Sequence, residues 1–172
     1  MTAQDEDLLL AVLNSAPVVA GARTEQLAGP PGRALAKRYG GTGTAAELEH
    51  LRHVRDALQA LVRGEKAAAG QLNPLLDGAV LVPNATPQGL DWDLVTPPHR
   101  RLAVRVAIAW SRVGEELPGR LRACANTRCN LFLVDHSRPG TARWCSMAVC
   151  GNRMKSRAHA SRKRTSRPRN TE

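Results

Sequence analysis

The alternation of apolar and polar positions in the first 119 residues predicts a mainly helical body. Thr44-Ala45-Ala46-Glu47 has the form of a capping box, and apolar residues then recur at helical spacing until Gly64. A second helical stripe follows Thr96-Pro97-Pro98, which we interpret as an N-cap with prolines in the first turn, and stops at Leu117-Pro118-Gly119. The sequence therefore predicts two principal amphipathic helices, the first with apolar residues Leu48, Leu51, Val54, Leu58, Leu61 and Val62 and the second with Leu102, Val106, Ala109, Trp110 and Val113.

Shorter elements complete the predicted body. Short helices are expected over residues 5–13, 33–39 and 71–76, and Gly29-Pro30-Pro31-Gly32 is expected to break the chain before the second of them. Residues 79–82 and 90–95 are separated by turn residues and can pair as a small hairpin. Residues 1–119 are long enough to bury a hydrophobic core of their own.

The distribution of charge changes after Gly119. The 172 residues carry a net charge of +10, and the sequence pI is about 10.7. Residues 1–119 contain 12 basic and 13 acidic side chains, whereas residues 120–172 contain 13 basic and 2 acidic ones. The last third of the chain therefore carries the whole excess of positive charge, which favours a polyanionic partner.

The apolar segments of the chain are too short to cross a membrane. No segment approaches the roughly 18 consecutive apolar residues that a spanning helix needs, so we expect no membrane partner. Residues 8–22 end in a small-residue run typical of a signal-peptide cleavage site, but Asp5-Glu6-Asp7 stands where such a peptide has positive charge. We predict a cytoplasmic protein that associates with the nucleoid when it is bound to DNA.

All four cysteines lie in the basic segment, in two pairs. Cys124-x4-Cys129 is followed, after fifteen residues, by Cys145-x4-Cys150. Each pair of thiolates can span one edge of a tetrahedron, so the spacing predicts one structural Zn²⁺ with Cys124, Cys129, Cys145 and Cys150 as ligands. A module of about 35 to 40 residues with few large apolar side chains also needs a cross-link, such as a bound metal ion, in order to fold. Two disulfides are the alternative, and a redox dithiol is disfavoured because neither pair has two-residue spacing.

The residues around the second cysteine pair predict a hairpin followed by a helix. Residues 131–134 are expected to form a strand, residues 136–140 its turn, and residues 142–144 the returning strand that delivers Cys145. Phe132 and Trp144 are expected to pack together over the metal site. Gly151 in the following helix indicates a close approach to the hairpin. The predicted fold class is α+β, mainly α: a helical N-terminal domain with a small hairpin, and a C-terminal treble-clef-like zinc finger of β-hairpin and basic helix.

The predicted helix after Cys145 has cationic flanks and a polar ridge between them. At about 100° per residue, Arg153 and Arg157 fall on one flank and Asn152 falls on the ridge. Such a helix suits a nucleic-acid groove, with its flanks on phosphates and its ridge facing base edges. The candidate nucleic-acid-binding residues of this segment are Arg143, Asn152, Arg153, Lys155, Arg157, Arg162, Lys163 and Arg164. The alternative is a solvated basic helix that merges into a disordered tail.

A longer pattern in the same segment resembles a known family. Trp144-Cys145-Ser146-Met147-x-x-Cys150-Gly151-Asn152-Arg153, preceded by Cys124-x4-Cys129 and Leu131-Phe132-x-x-Asp135-x-Ser137, is similar to the CGNR zinc finger family. The resemblance implies that the four cysteines bind zinc and that the helix with Gly151-Asn152-Arg153 meets DNA. In that family the finger usually follows an N-terminal domain called ABATE, described as a stress-induced transcription regulator, which implies that residues 1–119 sense a signal or dimerise.

These observations together predict a zinc-dependent DNA-binding protein and transcription regulator. An enzyme is not expected, because four cysteines close the coordination shell that a catalytic zinc keeps open. The predicted domains are an ABATE-like regulatory or dimerisation domain over residues 1–119, the zinc finger over 120–164 and a basic disordered tail over 165–172. Double-stranded DNA is the expected partner, with a homodimer through the N-terminal domain. The alternatives are an RNA-binding or ribosome-associated zinc module and a protein-interaction adaptor.

Overall fold

The computed structural model describes residues 3–165, with side chains up to residue 159, and it combines helices with small sheets. The elements are α1 (Ala3–Leu13), β1 (Val18–Val19), β2 (Ala22–Arg23), α2 (Gly29–Arg38), α3 (Ala45–Val62), α4 (Ala69–Leu76), β3 (Val80–Thr86), β4 (Gly89–Val95), α5 (Pro98–Glu116), β5 (Leu121–Ala123), β6 (Phe132–Val134) and α6 (Asn152–Thr165). A 3₁₀ turn, Lys66–Ala68, precedes α4, and a π-helical turn, Met147–Gly151, precedes α6. Helix accounts for 52% of the structure, as expected for a mixed, mainly helical fold. None of the helices within residues 3–165 has the length and hydropathy needed to cross a bilayer.

Helices α1, α3 and α5 pack against one another around the hydrophobic core. Each contributes side chains that are completely buried, such as Leu9 of α1, Leu51 of α3 and Val106 of α5. The apolar stripes recognised in the sequence therefore face one another, because a stripe at helical spacing can leave water only against another apolar surface. Both principal amphipathic helices and the N-terminal helix are confirmed.

The start of α3 confirms the predicted capping box. The Thr44 hydroxyl accepts a hydrogen bond from the Glu47 amide at 3.3 Å, which satisfies one of the free N–H groups of the first turn. The Glu47 carboxylate is fully buried and accepts from the amide of Gly43 at 2.6 Å, one residue before the N-cap. The helix ends at Val62, and Gly64 follows with a φ of +96°, a conformation that glycine adopts without strain.

Two other helix starts differ from the prediction. Pro30 and Pro31 lie in the first turn of α2, where proline needs no hydrogen-bond partner and has a suitable φ, so they begin the helix instead of breaking the chain. Helix α5 begins at Pro98 with Pro97 as its N-cap residue. The Thr96 hydroxyl is buried and has no hydrogen-bond partner among the described residues, so the prediction of a threonine N-cap was wrong.

The predicted hairpin before α5 is confirmed and is longer than expected. Strands β3 and β4 pair from Val80 with Val95 to Thr86 with Gly89. Because side chains alternate between the faces of a strand, one face of the hairpin carries only apolar residues. These residues are Leu81, Pro83, Ala85, Leu90, Trp92 and Leu94. A cavity of about 340 Å³ separates the base of this face from α5.

A second, very short hairpin precedes α2 and was not predicted. Its turn residues, Ala20 and Gly21, have φ values of +51° and +85°, as a two-residue hairpin turn with both central residues in the left-handed region requires. Strand β2 is held to the helical body by Arg23, whose guanidinium donates to the carboxylate of Asp56 at 2.9 Å. The hairpin is therefore attached to α3.

The interior of the body also contains a charged group that the sequence analysis missed. The Arg55 side chain is 2% exposed, and its two terminal nitrogens each donate to the Glu25 carboxylate at 2.8 Å. Its Nη1 also donates to the Ser15 hydroxyl at 3.1 Å. A bidentate ion pair of this kind satisfies hydrogen-bond donors of a buried guanidinium. Arg55 thus connects α3 to the loops on either side of the first hairpin.

The strand that contains Phe132 pairs with a different segment from the predicted one. Strand β6 runs antiparallel to β5, with Ala123 opposite Phe132 and Leu121 opposite Val134. Residues 142–144 are not a strand, although the Arg143 carbonyl accepts from the Ala125 amide at 2.8 Å. The predicted hairpin was therefore wrong: β5, which lies before the first cysteine, is the partner. This pairing closes the loop that contains the first cysteine pair.

Strand β6 attaches the C-terminal segment to the helical body. Phe132 is 2% exposed and belongs to the core of the body, and the Arg63 guanidinium lies 4.6 Å from the centre of its ring. The Asn14 side chain accepts from the Phe132 amide at 2.7 Å and donates to its carbonyl at 3.2 Å. The expected packing of Phe132 on Trp144 was thus wrong, because the phenylalanine is buried between the two parts of the chain.

Candidate metal centre

Three local elements bring the four cysteines together. Cys124 follows β5, and Cys129 ends a tight turn in which its amide donates to the Asn126 carbonyl at 2.7 Å. Cys145 precedes the π-helical turn and Cys150 lies within it. The Ser146 hydroxyl caps this turn by accepting from the Val149 amide at 3.3 Å. The two cysteine pairs that the sequence separates by fifteen residues therefore meet in one cluster.

The sulfur atoms have the spacing of a tetrahedral metal site. All four lie within 4.8 Å of one another, and Cys145 Sγ is 3.7 Å from the sulfurs of both Cys129 and Cys150. Zinc–sulfur bonds of about 2.3 Å in a tetrahedron place the sulfurs roughly 3.8 Å apart. A disulfide requires about 2.05 Å, and the four cysteines are free. The donor set therefore fits one structural Zn²⁺, as predicted.

The environment of the thiols also favours a cation. Burial raises the pKa of the Cys145 and Cys129 thiols. Burial acts in the same direction on Cys150, but the Asn126 amide and the neighbouring thiols hydrogen-bond to its sulfur, and the pKa of Cys150 is lowered. Four thiolates in so small a volume repel one another unless a dication neutralises them, so metal binding here must release protons.

Asn126 supports the cluster and was missed in the sequence analysis. It is completely buried, and its Nδ2 lies 3.5 Å from Cys150 Sγ, which it reaches as a donor. Its Oδ1 accepts from the Arg128 amide at 3.2 Å, which fixes the turn between Cys124 and Cys129. Groups that hydrogen-bond to metal ligands orient them, so Asn126 connects the two cysteine pairs directly. An asparagine two residues after a cysteine, in a turn, was the available signal.

A buried carboxylate organises the loop that leads to the second cysteine pair. Asp135 accepts from the amide and hydroxyl of Ser137, at 2.9 and 2.6 Å, and from the Ala142 amide at 2.9 Å. Arg120 and Arg122 approach it at 3.7 and 3.8 Å. The hydrogen bonds from Ser137 and Ala142, together with the positive charge of Arg120, hold the pKa of Asp135 below its ordinary value. The segment that the sequence analysis predicted to be a returning strand is therefore held by hydrogen bonding to this carboxylate instead.

Gly151 lies in a crowded position, but its neighbours differ from those expected. A Cβ atom on Gly151 would lie 2.9 Å from the Met147 sulfur and 3.3 Å from Cδ1 of Trp144. The close approach is therefore to side chains just before α6 and not to the strands. Trp144 packs there, and the Arg143 guanidinium lies 5.3 Å from the centre of its ring.

The candidate nucleic-acid-binding residues occupy several surfaces. Arg153 and Arg157 are exposed on α6 and line a groove between α6 and the β1–β2 hairpin, whereas Lys155 is exposed outside this groove. Asn152 is exposed, and its side-chain amide donates to the Ala148 carbonyl at 3.3 Å. The side chains of three further candidates lie outside the described residues: Arg162, Lys163 and Arg164. The same holds for the predicted tail after Thr165.

Comparison with known proteins agrees with this geometry. No curated protein matches the chain. The resemblance of residues 1–119 to an ABATE domain therefore stays a prediction. Residues 120–163, which hold the four clustered cysteines and the start of the basic helix, match the family model of the CGNR zinc finger.

Proposed function

We propose that this chain is a zinc-dependent DNA-binding protein and transcription regulator of the cytoplasm, in which the four-cysteine site presents α6 to duplex DNA. The observation that carries the proposal is the position of the basic helix directly after a metal ligand. Cys150 lies in the π-helical turn, and α6 begins two residues later at Asn152. A metal bound to Cys150 would fix the direction in which the helix leaves the finger.

The charges on this helix support a polyanionic partner. Arg153, Lys155 and Arg157 are exposed, and within the described part of the chain no carboxylate lies at ion-pair distance from them. The helix has no acidic residue between Asn152 and Thr165. Unpaired arginines and lysines on a helix are the groups that contact phosphates and release counterions from DNA. A structural zinc with four sulfur ligands has no open position, which favours binding over catalysis.

Fluorescence anisotropy of a labelled duplex, titrated with the full chain at several salt concentrations, tests the proposal. If the protein neutralises about 5 to 6 phosphates, log K falls with log salt at a slope near −5, which is roughly a thousandfold between 50 and 200 mM. Arg153→Gln should reduce the slope by about 1, and a chelator should abolish binding. A slope near zero for the wild type would overturn the proposal.

The same assay separates DNA from RNA as the partner. Unlabelled duplex DNA and a structured RNA of equal charge are compared as competitors at matched salt. DNA should displace the labelled duplex at the lower concentration. Asn152→Ala should alter the preference among DNA sequences if its amide leaves Ala148 and contacts a base. Stronger competition by RNA would replace this proposal with the RNA-binding alternative.

We propose also that two copies of the chain pair through the N-terminal domain. Leu81, Leu90 and Trp92 are 43%, 61% and 53% exposed on the apolar face of the β3–β4 hairpin. With 12 basic and 13 acidic residues, two copies of residues 1–119 meet without net repulsion, whereas two segments with 13 basic and 2 acidic residues repel each other. A dimer would also extend the footprint of a single short helix on DNA.

Sedimentation equilibrium tests the pairing. The wild type should be a dimer, and Trp92→Glu should be a monomer. Val19→Glu, which changes an equally exposed apolar residue on β1, should remain a dimer. A monomeric wild type at concentrations where it binds DNA overturns the pairing.

A further inference from the structure

A groove of about 870 Å³ lies between the helical body and the finger. One wall is the β1–β2 hairpin with Arg23, the floor is the turn of residues 127–130 with Arg128, and the other wall is α6 with Arg153 and Arg157. Four arginines from three separate elements therefore face one concave space. The lining holds no carboxylate.

The positive charge of this groove is only partly compensated. Arg23 shares the Asp56 carboxylate with Arg55, at 2.9 and 3.0 Å. Arg128, Arg153 and Arg157 have no carboxylate at ion-pair distance among the described residues. A concave surface with one sign of charge and protein walls concentrates counterions more strongly than a flat surface does. The groove thus has the electrostatics of an anion site.

The floor of the groove is held to the body that carries the β1–β2 wall. The Asn130 side chain donates to the Ala16 carbonyl at 3.1 Å, two residues before β1, and it also accepts from the Arg63 guanidinium. Arg63 in turn lies over the Phe132 ring. The turn with Arg128 is therefore tied to the body that carries Arg23. Arginines held in place lose less conformational freedom on binding than arginines on a mobile chain.

The shape and chemistry of the groove favour a strand of nucleic acid over a small molecule. Pockets for small molecules are mostly apolar with a few polar groups, whereas this groove has arginines on every side. Arg153 and Arg157 are one helical turn apart, about 6 Å along the axis, so they follow a linear anion. Guanidinium groups recognise phosphate oxygens with paired hydrogen bonds.

We propose that this groove binds the sugar-phosphate backbone of the DNA strand that α6 contacts, so that the N-terminal body takes part in DNA binding through Arg23 and the finger turn takes part through Arg128. The inference rests on the proposed function, and it extends the DNA contact beyond the helix. Neither residue is among the candidate nucleic-acid-binding residues of the sequence analysis, and Arg23 lies outside the basic segment. The body therefore sets the orientation of the finger on the duplex.

Duplex binding by the full, zinc-loaded chain tests the groove, with the salt slope as the readout. Arg128→Gln and Arg23→Gln should each reduce the slope by about 0.9 and weaken binding about eightfold at 0.1 M salt, as the loss of one phosphate contact requires. Arg128→Lys keeps the charge and should retain the slope. Arg138→Gln in the finger and Arg33→Gln in the body remove an exposed charge outside the groove and should match the wild type.

The outcomes distinguish DNA binding through the groove from DNA binding through α6 alone. If Arg23→Gln and Arg128→Gln bind with the wild-type slope while Arg153→Gln does not, the groove inference is overturned and the proposed function stands. If Arg138→Gln and Arg33→Gln lose as much slope as the groove variants, the effect is one of net charge and the groove is again overturned. A wild type that does not bind duplex DNA overturns both. Metal content and circular dichroism of each variant show that it is folded.

Discussion

Removal of the metal from the cysteine cluster should destabilise the helical body as well as the finger. The physical link is β6, which belongs to the finger but places Phe132, at 2% exposure, in the core of the body. The Asn14 side chain, in the body, makes two hydrogen bonds with the backbone of the same residue, at 2.7 and 3.2 Å. Without a metal ion the four thiols would not hold the finger together, and we expect β6 to detach from the body.

The expected loss follows from these contacts. Burial of the phenylalanine contributes about 3 kcal/mol, each of the two hydrogen bonds about 1 kcal/mol, and the stacking of Arg63 on the ring about 0.5 kcal/mol. The body should therefore lose about 5.5 kcal/mol of its free energy of unfolding. With a urea dependence of about 2 kcal/mol per molar, the midpoint of helix unfolding should fall by roughly 2.7 M.

Urea unfolding followed by circular dichroism at 222 nm, with and without a chelator, measures this shift. Phe132→Ala supplies the matched control: with zinc bound, it should lose about 3 to 5 kcal/mol. The chelator should then lower its midpoint by less than it lowers that of the wild type, because the link is already broken. If the chelator leaves the helical transition of the wild type where it was, the finger and the body fold independently and the reasoning fails.

Three further predictions concern the body alone. Arg55→Met should lower the free energy of unfolding by about 3 kcal/mol in urea denaturation, because the Glu25 and Asp56 carboxylates lose their buried arginine partner. An unchanged midpoint would contradict this. Burial acts to raise the pKa of Asp56, but its arginine partners lower it below the ordinary 3.8. The wild type should therefore be more stable than Asp56→Asn above about pH 4, and this difference should vanish as the pH falls through the folded-state pKa of Asp56. Thermal melts of the wild type and Asp56→Asn across pH 2 to 7 measure the difference. Gly32→Ala should destabilise by about 1 to 3 kcal/mol, since a Cβ atom would lie 2.7 Å from the Leu27 carbonyl carbon, whereas Gly70→Ala, with open space around it, should stabilise by about 0.5 to 1 kcal/mol; equal melting temperatures would refute the comparison.

Features encoded within a few residues of the chain could be predicted. The Thr44 cap, the two apolar helical stripes and the hairpin before α5 each depend on neighbours in sequence, and all are confirmed. The metal site could also be predicted, because the chemistry of four thiolates restricts the possible arrangements more strongly than the fold does. The agreement therefore reflects short-range and chemical constraints.

Features that depend on distant partners could not be predicted. A three-residue strand carries no signal for its partner, so residues 131–134 were paired with a downstream segment instead of β5. Arg55 was overlooked because charged residues are usually solvated, and its burial depends on Glu25, 30 positions away. Asp135 was recognised only as part of the family pattern, and its role in ordering the loop was not predicted. Only the position of Arg55 within the apolar stripe, four residues after Leu51, indicated burial.

The tether between Asn14 and Phe132 joins residues 118 positions apart, which has a consequence for biosynthesis. Helices α1, α3 and α5 are synthesised before β6, so the core that they form lacks Phe132 until the end of the chain is made. The core is complete only when the last third of the chain has been synthesised and has bound its metal ion. A shortage of zinc during translation would therefore leave a partly folded intermediate with exposed apolar surface. Whether the chain folds, binds a chaperone or aggregates would then depend on the zinc concentration.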